Sequence, residues 1–281
     1  MDVPPHFAGT VEFAPGCRSS GKISHVLFDF DGTLSLIRHG WPDVMVPLFV
    51  EHLPKHPGES TKQVRRLAWE DIMRLNGKQT IYQMIQLADR IRQRGGTPQE
   101  PLWYKHEYLR RLDTLIAARK SAIRSGQRSP DELLVFHARR ALDALCERGL
   151  TLHLASGTDE QYVIEEAELL GIADYFQGRI YGARDDYQSF SKQIVIQRIL
   201  REASVAGDAL LAFGDGYVEI ENTKQAGGLA VAVASDEANH GSGQIDAWKR
   251  ERLLGVGADA VIPDYRDIDH LLAVLLREES R

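Results

Sequence analysis

His25-Val26-Leu27-Phe28-Asp29-Phe30-Asp31-Gly32-Thr33 is the stretch on which the fold turns. Its first half is short, apolar, branched and aromatic. Its second half is acidic and ends in glycine and threonine. So apolar a run suits a strand covered on both faces, as in a parallel sheet, with the polar residues at its carboxyl end. The sequence after Gly149 supports that setting, because strand-like and helix-like segments alternate. Strands are expected at 150–155, 179–181, 209–213, 229–234 and 260–262. Helices are expected at 160–170, 192–201, 218–226 and 268–277. Such alternation implies an α/β fold, a parallel sheet with right-handed crossovers and helices on both faces. Its active site lies at the carboxyl ends of the strands.

Between the first strand and Gly149 the pattern is different. Residues 41–53, 61–75, 80–94, 102–124 and 130–148 have helical periodicity, broken at Pro57-Gly58, Gly77, Gly95-Gly96 and Gly126. Pro47 should kink or shorten the first of these helices. This is an inserted, all-helical unit of roughly 100 residues, a common size for a small domain. The division expected is a catalytic core of 1–37 and 149–281 and a helical domain of 38–148. Residues 1–24 are rich in Pro, Gly and Ser and read as a surface arm, with 10–13 as a short edge strand.

Composition narrows the function class. The chain has 281 residues, 43% apolar and 26% charged, with a net charge of −6. Neither nucleic acid nor an anionic membrane is expected as a partner. No apolar run approaches the roughly 20 residues that cross a bilayer, and the start lacks the pattern of a secretory signal. A cytoplasmic protein, monomeric or homodimeric, is the expectation. Cys17 and Cys146 are expected to be reduced, structural thiols. The ten histidines show no ligand spacing on one helix face, so zinc is not expected.

Polar residues at strand ends supply the chemistry: Asp29, Asp31 and Gly32; Ser156-Gly157-Thr158; Lys192 at a helix start; and Gly214-Asp215 with Glu219. Asp29, Asp31, Asp215 and Glu219 in one crevice would repel one another without a cation. Magnesium suits such hard oxygen ligands. Lys192 adds positive charge. Ser156 and backbone N–H groups after Asp31 and Ser156 can bond phosphate oxygens. Asp29 is a competent nucleophile toward phosphorus, forming an aspartyl-phosphate. Asp31 can protonate the leaving oxygen and then activate water. Gly32 allows close approach of the backbone to phosphate. The alternatives are plain: Asp-x-Asp-Gly also makes turns, Ser156 or Thr158 also suits a helix N-cap, and Lys192 alone reads as a solvated helix residue.

These residues resemble the four motifs of the haloacid dehalogenase (HAD) superfamily, and mainly its phosphatases. DxDGT is Asp29 to Thr33, the serine is Ser156, the lysine is Lys192, and GDxxxE is Gly214-Asp215 through Glu219. All four occur in the family's order. The resemblance implies a Rossmann-like core and a magnesium site formed by Asp29, the backbone carbonyl of Asp31 and Asp215, with Glu219 helping directly or through water. It identifies the helical insertion with the C1 cap of the phosphoglycolate phosphatase and β-phosphoglucomutase branch. Only about 35 residues separate Ser156 from Lys192, too few for the later type of cap. The activity implied is magnesium-dependent hydrolysis of a small phosphorylated metabolite, a sugar phosphate or a phosphoglycolate-like monoester. A phosphomutase or phosphotransferase of the β-phosphoglucomutase type is the alternative, since the same motifs serve both. Dehalogenases and phosphonatases of the superfamily typically lack the second aspartate, present here as Asp31. Substrate contacts are expected from Arg38 and His39 at the hinge, near Trp41, from Lys78 in the Gly77–Thr80 loop, and from Arg184. The polar segment 235–257 has no role in the family pattern and reads as a rim loop or an oligomer contact.

Overall fold

The structure, a computed structural model, describes residues 2–3, 7–184 and 186–277. The remaining residues of the expected core, 1, 4–6, 185 and 278–281, lie outside the described residues. The chain begins with short strands β1 (Asp2–Val3), β2 (Phe7–Ala8), β3 (Val11–Phe13) and β4 (Cys17–Arg18), then enters β5 (His25–Phe28). Helices α1 (Pro42–His52), α2 (Thr61–Arg74), α3 (Thr80–Gln93) and α4 (Pro101–Arg124) follow. A 3₁₀ turn at Pro130–Leu133 leads to α5 (Ala138–Glu147). The chain then continues through β6 (Thr151–Asp159), α6 (Glu160–Leu169), α7 (Ala173–Phe176), β7 (Ile180–Ala183), α8 (Lys192–Ala203) and β8 (Leu210–Gly214). It finishes with α9 (Tyr217–Gln225), β9 (Leu229–Val233), α10 (Ala247–Gly255), β10 (Ala260–Ile262) and α11 (Ile268–Leu275). No described helix is long and apolar enough to cross a membrane.

The main sheet runs β2-β3-β10-β9-β8-β5-β6-β7. All pairs from β10 to β7 are parallel; β3 and β2 add antiparallel at the far edge. β5 is central, between β6 and β8, and its pleat sends alternate residues to opposite faces. Val26 and Phe28 enter one buried cluster with Leu211 and Phe213. Leu27 enters another with Leu210, Ala212 and the α8 residues Val195, Ile196 and Ile199. Both faces are therefore covered, which is why Val26, Leu27 and Phe28 are all apolar. Chain order reverses direction at β5: the next strand, β6, lies on one side and β8 on the other. This is the crevice where open α/β sheets place their sites.

The expected elements are present, with four differences. Of the expected strand 10–13, residues 11–13 form β3, but β3 is not an edge: Val11 and Phe13 are buried and β2 lies outside it. Pro47 does not break α1, which runs through it from Pro42 to His52. Predicted strand 150–155 extends through Asp159, with a register shift between Ala155 and Asp159 against β7. Predicted helix 130–148 is split, because Leu36 N donates to Leu133 O and Val135 N donates to Leu34 O, 2.8 and 2.9 Å. These bonds draw the segment out as an extended return strand beside the outgoing chain, and His137 takes a left-handed φ of 61° before α5 begins. α5 packs mainly on α11 and β6. On these contacts we place the second crossing between the units at Leu133–Val135, ahead of the 148 expected from the sequence.

In the inserted unit, α1 pairs with α2 and α3 with α4. A capping box starts α2: the Ser60 hydroxyl accepts from Gln63 N, and the Gln63 side chain accepts from Ser60 N. Buried Asp71 of α2 accepts from Arg90 of α3 at 2.6 and 3.0 Å, tying the two hairpins together.

Phe28 is fully buried and stacked on Phe213, with ring centroids 4.9 Å apart and planes 9° from parallel. Truncating it leaves a cavity beneath the catalytic strand end. Phe28→Ala should lower unfolding free energy by about 3–5 kcal/mol in urea titration. A loss below about 1 kcal/mol would show that the sheet does not depend on this pair.

Candidate active site

The carboxyl ends of β5, β6 and β8 bring the candidate residues together around one cavity. Asp29, Asp31, Gly32, Ser156, Gly157, Lys192 and Asp215 line it, as do Arg38, His39, Trp41 and Lys78. Arg184 is not among the lining residues; it stands at the surface, 3.2 Å from Glu160. Cap and core both contribute walls, so the cavity lies beneath the insertion.

Asp29 is 6% exposed and follows directly on β5. Its Oδ1 accepts from Phe30 N at 2.8 Å and lies 2.8 Å from Lys192 Nζ. Burial pushes its pKa well above the ordinary carboxylate range; Lys192 opposes this, and Glu219 and Asp215 add to it. Lys192 is itself buried, because α8 starts at the cavity with Ser191 as its N-cap, the hydroxyl accepting from Ile194 N. The ammonium is shared with Glu219 Oε2 at 2.7 Å. It is therefore an internal counter-charge, not a solvated helix residue.

Asp31 Oδ2 accepts from Thr158 Oγ1 at 2.8 Å and from Ser156 Oγ at 3.5 Å. Its Oδ1 is buried and makes no hydrogen bond among the described residues; the Arg38 Nε lies 3.8 Å away. Burial raises the pKa of Asp31, with Arg38 pulling the other way. Thr158 N donates to Ser156 Oγ, so this β6 end is built to hold Asp31. Neither Ser156 nor Thr158 is a helix N-cap: β6 continues to Asp159, and Asp159 precedes α6.

Gly32 has φ +73°, and a Cβ there would lie 2.3 Å from Asp215 Oδ2. No larger residue fits between the two aspartate loops. Its N–H donates to Ser35 O at 2.9 Å, so what Gly32 offers a phosphate is space. Thr33 Oγ1 accepts from Asp215 N at 2.9 Å, joining the first motif to the fourth. Gly157 is equally constrained: a Cβ would lie 2.7 Å from the Lys78 carbonyl of the cap. Gln79 secures that cap loop by donating to the carbonyls of Tyr187 and Phe190, at 3.0 and 2.7 Å.

Asp29, Asp215 and Glu219 each offer a carboxylate oxygen, and these oxygens lie within 4.8 Å of one another. The donor set is all hard oxygen and fits a divalent cation such as magnesium. Glu219 has a second task, since Oε1 accepts from Gly216 N at 2.6 Å and Oε2 from Lys192. With both oxygens engaged, it suits a supporting place behind Asp29 and Asp215.

Three charged groups at the site carry no motif signal. Glu166, fully buried on α6, holds the Arg38 guanidinium with paired bonds of 3.0 and 2.9 Å. Glu237 and Lys249 come from the segment 235–257 to which the sequence assigns no role. Lys249 Nζ lies 3.0 Å from Asp215 Oδ2 and donates to Glu237 Oε1 at 2.6 Å. Burial raises the Asp215 pKa to about 6, against the pull of Lys249. Burial also acts to raise that of Glu237, but Lys249 and His39 outweigh it and hold the group at about 2. His39 Nδ1 is 3.4 Å from Glu237 Oε2.

Comparison with known proteins agrees with this geometry. The fold resembles that of a predicted phosphoglycolate phosphatase from Haemophilus somnus 129pt: TM-score 0.57, 17% identity, 89% of this chain and 98% of that one covered. It also resembles a conserved haloacid dehalogenase-like protein, ATU0790, from Agrobacterium tumefaciens (TM-score 0.58, 17% identity, 89% and 98% covered). A provisionally named beta-phosphoglucomutase from Thermotoga maritima gives a TM-score of 0.51 at 17% identity, with 89% and 98% covered. At such identities the likeness speaks for the fold. No curated protein matches the chain. The sequence model of the haloacid dehalogenase-like hydrolases matches residues 23–227, from the start of the catalytic strand to beyond the fourth motif. The chain belongs to the haloacid dehalogenase-like hydrolase family.

Proposed function

We propose that the chain is a magnesium-dependent phosphatase that hydrolyses a small phosphorylated metabolite through an aspartyl-phosphate on Asp29. A sugar phosphate or a phosphoglycolate-like monoester is the substrate class. The observation that carries this reading is the pairing of two unlike aspartates at one strand end: Asp29 bonded to Lys192, and Asp31 with a buried, unbonded Oδ1.

Asp29 attacks phosphorus in line and takes the phosphoryl group. Asp31 gives its proton to the leaving oxygen, then receives one from the water that attacks the aspartyl-phosphate. The raised pKa of Asp31 suits this, because the carboxyl keeps its proton to higher pH than a solvated aspartate does. Lys192 and Ser156 hold phosphoryl oxygens, with Gly32 and Gly157 leaving room for them. Asp29, the Asp31 carbonyl and Asp215 would hold magnesium, which would supply counter-charge to the transferring group. His39 and Lys78 face the remainder of the substrate from hinge and cap. Arg38 stands behind Asp31, locked to Glu166, and shapes the same wall.

Asp29→Asn should reduce phosphate release from a panel of sugar and carboxylic-acid monophosphates by at least about a thousandfold, with an unchanged circular dichroism spectrum. Turnover that survives the change removes Asp29 as nucleophile. Asp31→Asn should cost about 10²- to 10⁴-fold, and an unaltered rate would assign the proton transfers elsewhere. EDTA should abolish phosphate release and magnesium should restore it. Undiminished hydrolysis in EDTA, or an isomerised sugar phosphate formed without free phosphate, would sink the hydrolytic, metal-dependent reading.

A further inference from the structure

The segment after β9 is built as part of the site. Ser235 pairs with Ile245 in an antiparallel bridge, and Asp246 N donates to Ala234 O at 2.9 Å. The Asp246 carboxylate then caps α10 by accepting from Lys249 N at 2.9 Å. The loop thus closes on the end of β9 and fixes the first turn of α10. Lys249, 8% exposed, has Asp215 Oδ2 at 3.0 Å, Glu237 Oε1 at 2.6 Å and Ser235 Oγ at 3.3 Å. Ser235 Oγ in turn donates to Gly32 O at 2.9 Å, in the loop that follows Asp31. Glu237 lies over the same glycine, where a Cβ would come within 3.0 Å of its Oε1. A buried ammonium is stable only with such partners. Here they are a candidate cation ligand and a second carboxylate.

We propose that Lys249 and Glu237 are positioning residues that set the divalent-cation affinity of the Asp29–Asp215 centre. Lys249 acts through Asp215: it fixes the carboxylate by one oxygen and withdraws part of its negative charge. Glu237 acts through Lys249, neutralising the ammonium and returning negative charge to the centre. The two groups therefore act on a bound cation with opposite signs. Removing the ammonium strengthens cation binding, and removing the carboxylate weakens it. This inference rests on the metal-dependent reading above.

The test is titration of the full chain with Mn²⁺ alone, following the free ion by electron paramagnetic resonance at fixed pH and ionic strength. Lys249→Gln should bind Mn²⁺ about tenfold more tightly than the natural protein, and Glu237→Gln about tenfold more weakly. Lys249→Arg keeps the charge and should stay within about threefold. Circular dichroism and a thermal melt establish that each variant is folded. A pair that merely held the loop in place would shift both glutamine variants the same way, and that result overturns the proposal. So does an unchanged affinity in Glu237→Gln, which reports separately if Lys249→Gln does not fold. Natural protein that takes up no Mn²⁺ removes the metal-dependent reading and this inference together. Mn²⁺ binding by the natural protein with same-sign shifts removes this inference alone.

Discussion

The structure depends on holding like charges together at the end of a buried strand. Asp29, Asp31, Asp215, Glu219, Glu237 and Glu166 all stand in or directly behind one crevice. Lys192, Lys249 and Arg38 are the cations set between them. Six carboxylates against these three cations and Lys120, which lies 3.8 Å from Glu166, still leave an excess of negative charge in a region of low polarisability, and such an excess is costly without further compensation. The upward shifts of Asp29, Asp31 and Asp215 have burial as their largest cause. An external divalent cation answers that imbalance on the Asp29–Asp215 side. On the Asp31 side, proton uptake answers it. A cation on the Asp29 side would favour the ionised form of that carboxylate and leave Asp31 as the one that holds a proton.

Each cation is carried by a different part of the chain, and separate contacts seat the cap on the core. Lys192 comes from the crossover helix α8, Lys249 from α10, and Arg38 from the outgoing hinge. The hinge is further clamped by Arg119 of α4, which donates to the carbonyls of Ile37 and His39, both at 2.7 Å. Lys105 of α4 lies 2.6 Å from Asp159 at the start of α6. The cap is seated by its own helix as well as by the loop around Lys78, whose carbonyl covers Gly157 so closely that no side chain fits between. Cap and core residues therefore meet in one packed surface around the cavity.

Much of this was legible in the sequence because it is local. Val26 to Thr33 states its strand, its stop and its two aspartates within one segment, and Asp215 and Glu219 stand four residues apart, after β8 and in the first turn of α9. What could not be read arises from chain segments far apart. Glu166 looks like an ordinary residue of an amphipathic helix until α6 packs it against Arg38. Glu237 and Lys249 are twelve positions apart in a polar stretch, and only the Ser235–Ile245 bridge turns them toward each other. Periodicity failed at 130–148 for a related reason. Alternative pairing with Leu34 and Leu36 gave the backbone other hydrogen-bond partners than a continuous helix would. At the amino end, β3 gains its burial from β10, nearly the whole chain away, so no short window could place it inside the sheet.

Helix α10 serves both the site and the cap. Lys249 points from it to Asp215, while its neighbours reach the cap. Trp248 packs on Trp69 of α2, with ring centroids 6.2 Å apart. Arg252 lies over the rings of Trp248 and Tyr217, at 5.0 and 4.7 Å, and donates to the carbonyls of Met73 and Arg74 at the end of α2. Those carbonyls are among the last of α2, which the helix itself leaves without donors. One short helix therefore supplies a charge to the catalytic centre and a cap to the helix that roofs it. A rotation of α10 that drew Lys249 away from Asp215 would also shift Trp248 and Arg252, on which α2 rests. The electrostatics of the carboxylate cluster and the seating of the insertion are mechanically joined through this element, and neither can change as though the other were absent.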